Sequence, residues 1–131
     1  MEKKLKHLEF IQNTINRMSN NSFLIKGWCV TIISGVYVLA EKDINKDFVM
    51  ISFFVILSFW FLDSFYLRLE RMFRCLYEEA ILKNENEIDF SMKIKKFNKV
   101  NKIYCALFSE YILLFYLPLI TLNCLLMYII R

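Results

Sequence analysis

One carboxylate stands inside a run of twenty residues that is otherwise uncharged: Asp63 in FVMISFFVILSFWFLDSFYL, Phe48 to Leu67. An ammonium, Lys26, lies near the start of a second apolar run, SFLIKGWCVTIISGVYVLA (Ser22 to Ala40). Glu110 immediately precedes a third, YILLFYLPLITLNCLLMYII (Tyr111 to Ile130). Ionisable groups are costly in apolar surroundings, so they persist where they pair, serve a pathway or reach water. Two readings follow for Lys26, Asp63 and Glu110. They form a functional polar layer at one depth, in which ammonium and carboxylate pair. Alternatively they snorkel to a headgroup boundary, with Trp28 and Tyr66 as belt residues.

Three arginines, Arg68, Arg71 and Arg74, follow Asp63 without an intervening glycine or proline. Such residues can fix the side of a membrane on which a helix end stays. Their planar forks can also bind a ligand phosphate or a partner carboxylate, which lysine does poorly. Glu70 with Arg74, and Arg74 with Glu78, have the four-residue spacing of surface ion pairs worth about 0.2–0.5 kcal/mol each. Catalytic chemistry has little to stand on. His7 is the only histidine, and Cys29, Cys75, Cys105 and Cys124 are 46, 30 and 19 residues apart, so no CxxC pair suggests zinc or redox work. No phosphate-binding glycine loop, nucleophile elbow or HExxH motif is present. The expectation is a protein that is not an enzyme and carries no catalytic residue, metal or cofactor.

The elements that must position these groups are helices. Of 131 residues 57% are hydrophobic and 17% aromatic, with two glycines and one proline, which leaves little material for hairpin turns. Each apolar run approaches the roughly 20 residues that cross a bilayer. The fold class expected is therefore an all-α integral membrane protein with three transmembrane helices, at 22–40, 48–67 and 108–130. Past Asp63 the second helix keeps a stripe of Leu62, Tyr66, Leu69, Phe73, Leu76 and Ala80. It is expected to run to about Lys83, projecting into cytoplasm, and the stripe then needs partners. Leu8, Ile11, Ile15 and Met18 predict an N-terminal amphipathic helix over 1–20, ended by SNNS (Ser19 to Ser22), with Ser22 capping the first span. In the basic segment 84–107, SMKIKKFNKVNKIY puts Ile94, Phe97 and Tyr104 near one helical face among five lysines. It fits a helix on an anionic leaflet or a solvated basic loop.

Charge sets the orientation. Residues 1–26 hold five basic residues and 68–102 hold nine. The link Glu41 to Asp47 holds two, outnumbered by Glu41, Asp43 and Asp47, and the C-terminal end holds Arg131 alone. Since cytoplasmic flanks collect Lys and Arg, the N-terminus is expected in the cytoplasm and the C-terminus outside the inner membrane. The net charge of +4 thus reflects topology, and no nucleic-acid module is recognisable. Met1 to Gln12 lacks the apolar core of a secretory signal, so the first span is expected to stay. Along that span Gly27, Thr31 and Gly35 recur every four residues, the small-residue row that lets helices approach closely. It serves either a homo-oligomer or packing within the chain.

NSFLIKGWCVTIISG (Asn21 to Gly35) and FWFLDSFYLRLERMFRCLY (Phe59 to Tyr77) resemble a recurring pair in small bacterial membrane proteins of defence islands. The similarity spans roughly residues 1–80. It implies, by context, an effector that oligomerises and permeabilises the inner membrane on a cytoplasmic protein or nucleotide signal, as in anti-phage defence. From another class, a non-enzymatic anchor or accessory subunit would recruit a cytoplasmic partner. The expected orientation has a direct check. An impermeant thiol reagent should label single cysteines placed in 41–47 on intact cells, and should reach Cys75 only after the cells are opened.

Overall fold

The structure is a computed structural model that describes residues 1–40 and 46–129. Among these residues there are four α-helices and no strand: α1 (Glu2–Leu39), α2 (Lys46–Leu82), α3 (Ile103–Leu107) and α4 (Glu110–Ile129). Glu41 and Asp43, which carry part of the expected charge asymmetry, lie outside the described residues, as do Ile130 and Arg131.

The break expected at Ser19 to Ser22 does not form. α1 is one helix of 38 residues, about 57 Å long at 1.5 Å per residue. Serine and asparagine are only slightly poorer helix formers than their apolar neighbours, by a few tenths of a kcal/mol or roughly that. Met18 before them and Ile25 after them are both buried, so unbroken packing outweighs the local preference. Ser22, expected as an N-cap, is mid-helix. α2 runs through Asp63 and all three arginines without interruption, as the turn-free sequence suggests. The two long helices lie antiparallel. Lys4 Nζ donates to the carbonyls of Ile81 (2.6 Å) and Lys83 (2.9 Å), answering C-terminal carbonyls of α2 that have no helical partner.

Two apolar cores sit on this hairpin. Near its open end Ile11 and Ile15 of α1 meet Leu76 and Ala80 of α2, and Met92, Ile94 and Phe97 close over them. Half of the expected α2 stripe thus finds its partners in α1 and in the basic segment. That segment is not a helix along its length. It has a short 3-10 turn at Lys95–Phe97, because Ile94 and Phe97 turn onto the head core and leave Tyr104 exposed in α3. Lys96 Nζ meets Glu79 at 2.5 Å, and this hydrogen-bonded ammonium holds the Glu79 carboxyl below its ordinary range, with Lys83 adding at 3.3 Å.

The second core joins α1, α2 and α4 through Cys29, Ile33, Ile56, Ile112 and Tyr116. Its polar groups are answered internally: Trp60 Nε1 donates to Leu107 O (3.1 Å), and Tyr37 donates to Asn123 Oδ1 (2.6 Å). Outside this seam the helices turn apolar side chains outward. Phe23, Leu114 and Tyr128 are more than three-quarters exposed. Three helices, α1, α2 and α4, are long and apolar enough to cross a membrane, and at most 28% of their most apolar stretches is buried within the chain. Ile11→Ala should remove about 2–5 kcal/mol of packing from the head. Limited proteolysis should then cut 92–97 faster while membrane levels hold, and unchanged cleavage would show that the head core does not retain this segment.

Candidate functional site

Asp63 is wholly buried. It faces α1, where Ser22 and Lys26, four residues apart, stand on the side of the helix that also carries buried Ile25, Cys29 and Ile33. Lys26 Nζ lies 2.6 Å from Asp63 Oδ2. The Ser22 hydroxyl donates to Asp63 Oδ1 and accepts from Lys26 Nζ at 3.0 Å. Lys26 Nζ thus touches both Asp63 Oδ2 and the Ser22 hydroxyl, and Ser22 holds the other carboxylate oxygen. The Lys26 side chain keeps 23% of its surface, and its ammonium stands 5.9 Å over the Phe115 ring of α4. Tyr116, beside the carboxylate, donates its hydroxyl to Phe59 O at 3.1 Å. The result is a closed, neutral cluster that joins all three long helices.

Of the three residues expected in a polar layer, the structure brings Lys26 and Asp63 together and leaves Glu110 exposed at the start of α4. Ser22 is the member that sequence reasoning missed. The signal was its four-residue spacing from Lys26, hidden by the assumption that SNNS ends a helix.

The three arginines divide. Arg68 donates from Nε to Asn101 O (2.7 Å) and from Nη2 to Asn98 Oδ1 (3.2 Å). Arg71 reaches Cys105 O (3.4 Å) and Ser109 Oγ (3.0 Å). Both clamp the returning chain onto α2 just before α4 begins, a use of the planar fork that neither orientation nor ligand binding had anticipated. Arg74 makes the expected pair with Glu70, both Nε and Nη2 donating to Oε1 at 3.0 and 2.7 Å. Arg71 and Arg74 also line a cleft of about 530 Å³ with Glu70, Tyr111, Ser19 and Ser22. Through Ser22 the cleft borders the Lys26–Asp63 cluster.

Gly27, Thr31 and Gly35 lie on the exposed face of α1, away from α2 and α4. A Cβ added at either glycine meets nothing within 4 Å. The row therefore does not pack within the chain. The described residues hold no group of three or more His, Cys, Asp or Glu side chains suited to a metal. Comparison with protein-family models, curated proteins and solved structures finds no match to this chain.

What this arrangement can do is hold two apolar helices in one register by charge. Removing one member of a buried pair costs about 3–5 kcal/mol, whereas replacing both by apolar groups is often neutral. Lys26→Met should accordingly lower the melting temperature in detergent and the membrane level, and Lys26→Met with Asp63→Leu should recover most of both. A single substitution without effect would mean the pair is dispensable to the fold.

Proposed function

We propose that this chain is an integral protein of the bacterial inner membrane, with its N-terminus in the cytoplasm, that self-associates and acts as an effector permeabilising the membrane on a cytoplasmic signal. The observation that carries this reading is the continuity of α1 and α2. Each runs unbroken from the head core at Ile11, Ile15, Leu76 and Ala80 to the apolar core at Cys29, Ile33 and Ile56. A rearrangement at the head is thereby delivered to two membrane helices along continuous helical backbone that contains no proline and stays helical through Gly27. Orientation rests on the fourteen basic residues of 1–26 and 68–102, and anionic lipid of the inner leaflet is the expected partner of those unpaired and nearest the membrane.

Self-association is supported by the unfilled row on α1. Gly27, Thr31 and Gly35 form its floor, Phe23, Leu24 and Trp28 flank its first half, and the Thr31 hydroxyl is already spent on Gly27 O at 2.9 Å. A second helix can approach this face closely without leaving a polar group unpaired in lipid.

Expression in a bacterial host carrying a membrane-potential dye should give growth arrest with depolarisation. Gly35→Leu should leave the monomer fold intact, because no intrachain contact is disturbed, while reducing both oligomer size and depolarisation. A full-sized wild-type oligomer at normal membrane level that never depolarises the cell, with or without co-expressed cytoplasmic proteins of the same host, would favour a membrane anchor that recruits a partner.

A further inference from the structure

The head contains a cavity of about 320 Å³ between the start of α1, the last turns of α2 and residues 89–96. Leu76 and Ala80 line it with apolar surface, and four lysines, 83, 93, 95 and 96, surround it with two carboxylates, Glu79 and Asp89. The charge count is four minus two, or +2. Both carboxylates are engaged, Glu79 by Lys83 and Lys96, and Asp89 by the backbone N–H of Ser91 at 3.1 Å. The exposed ammonium groups of Lys93 and Lys95 have no ion-pair or hydrogen-bond partner among the described residues.

At the inner wall stands His7, 4% exposed, with Nδ1 buried and without a hydrogen-bond partner. Buried polar atoms in native proteins are nearly always satisfied, and those that are not point to a missing partner. The Phe90 ring braces the imidazole edge-on at 5.5 Å, and its backbone is held at φ 53, a left-handed conformation that is uncommon for an aromatic residue. Strain of this kind persists where the surroundings enforce it and gathers at binding sites.

We propose that this cavity binds a small soluble phosphorylated molecule, its phosphate between Lys93 and Lys95 against the wall that His7 forms and its less polar part over Leu76 and Ala80. Lysine ammonium groups are point charges that suit a multiply charged oxyanion, and an imidazole N–H adds a donor within the wall. The volume lies at the small end of the roughly 300–1,000 Å³ typical of ligand sites. A lipid headgroup is the other source of phosphate, and distance argues against it. His7 precedes Lys26 by 19 residues of one helix, or about 28 Å. The headgroup layer outside the hydrocarbon is only about 5–8 Å thick on each side. This last step rests on the reading that α1 enters the membrane near Lys26, and it gives the cytoplasmic signal of that reading a place to bind.

Titration calorimetry on the full chain in detergent, with pyrophosphate as the probe, tests the site. Saturable binding of one pyrophosphate per chain is expected, and sulfate at equal ionic strength should bind more weakly. Lys93→Gln with Lys95→Gln should weaken binding about tenfold through lost charge-assisted hydrogen bonds, at an unchanged melting temperature. His7→Phe, which keeps an aromatic ring against Phe90, should weaken it about fivefold. No saturable binding, equal affinity for sulfate, or full affinity in the double lysine variant would overturn the proposal. So would a soluble short-chain phosphatidylglycerol that binds the same lysines more tightly than pyrophosphate. The titration needs no membrane effect, so its failure leaves the effector reading standing, and a failure to depolarise cells leaves this site standing.

Discussion

A carboxylate with no access to water, on a helix whose neighbours are mostly leucine, isoleucine and phenylalanine, must either be neutral or carry its counter-charge with it. Asp63 carries it: Lys26 sits 2.6 Å away on the antiparallel helix. That requirement fixes more than one contact. Because Lys26 and Ser22 must both face Asp63, the rotation of α1 about its axis is set, and with it the burial of Cys29 and Ile33 on one side. The opposite side, with Gly27, Thr31 and Gly35, is left facing outward. A shift of α1 by one residue along α2 would part ammonium from carboxylate and strand both in apolar surroundings. The pair thus acts as a register lock, whatever its net contribution to stability.

The same register carries into the head, since neither helix breaks between. Ile15 pairs with the Leu76 region and Lys4 with the end of α2, so the position of the N-terminal turns is dictated some 30 Å or so away along α1. The returning chain is fastened separately, by Arg68 and Arg71 at backbone carbonyls and by Lys96 at Glu79. Head and apolar core are consequently two ends of one hairpin, with a polar cleft at Arg71, Arg74 and Ser22 between them.

Much of this was legible in the residues. The uncharged runs announced three helices of membrane-crossing length, and the lack of glycine or proline after Asp63 announced that α2 continues through its arginines. Lys26 and Asp63 were marked by being the wrong chemistry for their surroundings. What was not legible depended on distant partners. Ser19 to Ser22 reads locally as a stop, and only the buried flanks Met18 and Ile25, with Asp63 across from Ser22, explain why the helix continues. Ile94 and Phe97 have helical spacing, yet the core they join lies on α1 and α2, and reaching it requires a turn. Arg68 and Arg71 look topogenic because their acceptors are backbone carbonyls, an asparagine and a serine some thirty or more residues on, which carry no charge to signal them. Glu110 was expected at the depth of Asp63, but it is exposed at the start of α4 and does not join the cluster.

The proposed arrangement puts the Lys26–Asp63 level at the inner boundary of the membrane, with the head beyond it in water. Spin labels at successive exposed positions of α1 in reconstituted vesicles read this directly, through the ratio of oxygen to nickel-complex accessibility. Labels at positions 30 and 32, exposed but off the Gly27–Thr31–Gly35 row, should be lipid-accessible, and those at 10, 13 and 17 water-accessible, with the crossover between Ser19 and Lys26. Water accessibility throughout 24–38, or lipid accessibility extending to position 10, would contradict the account.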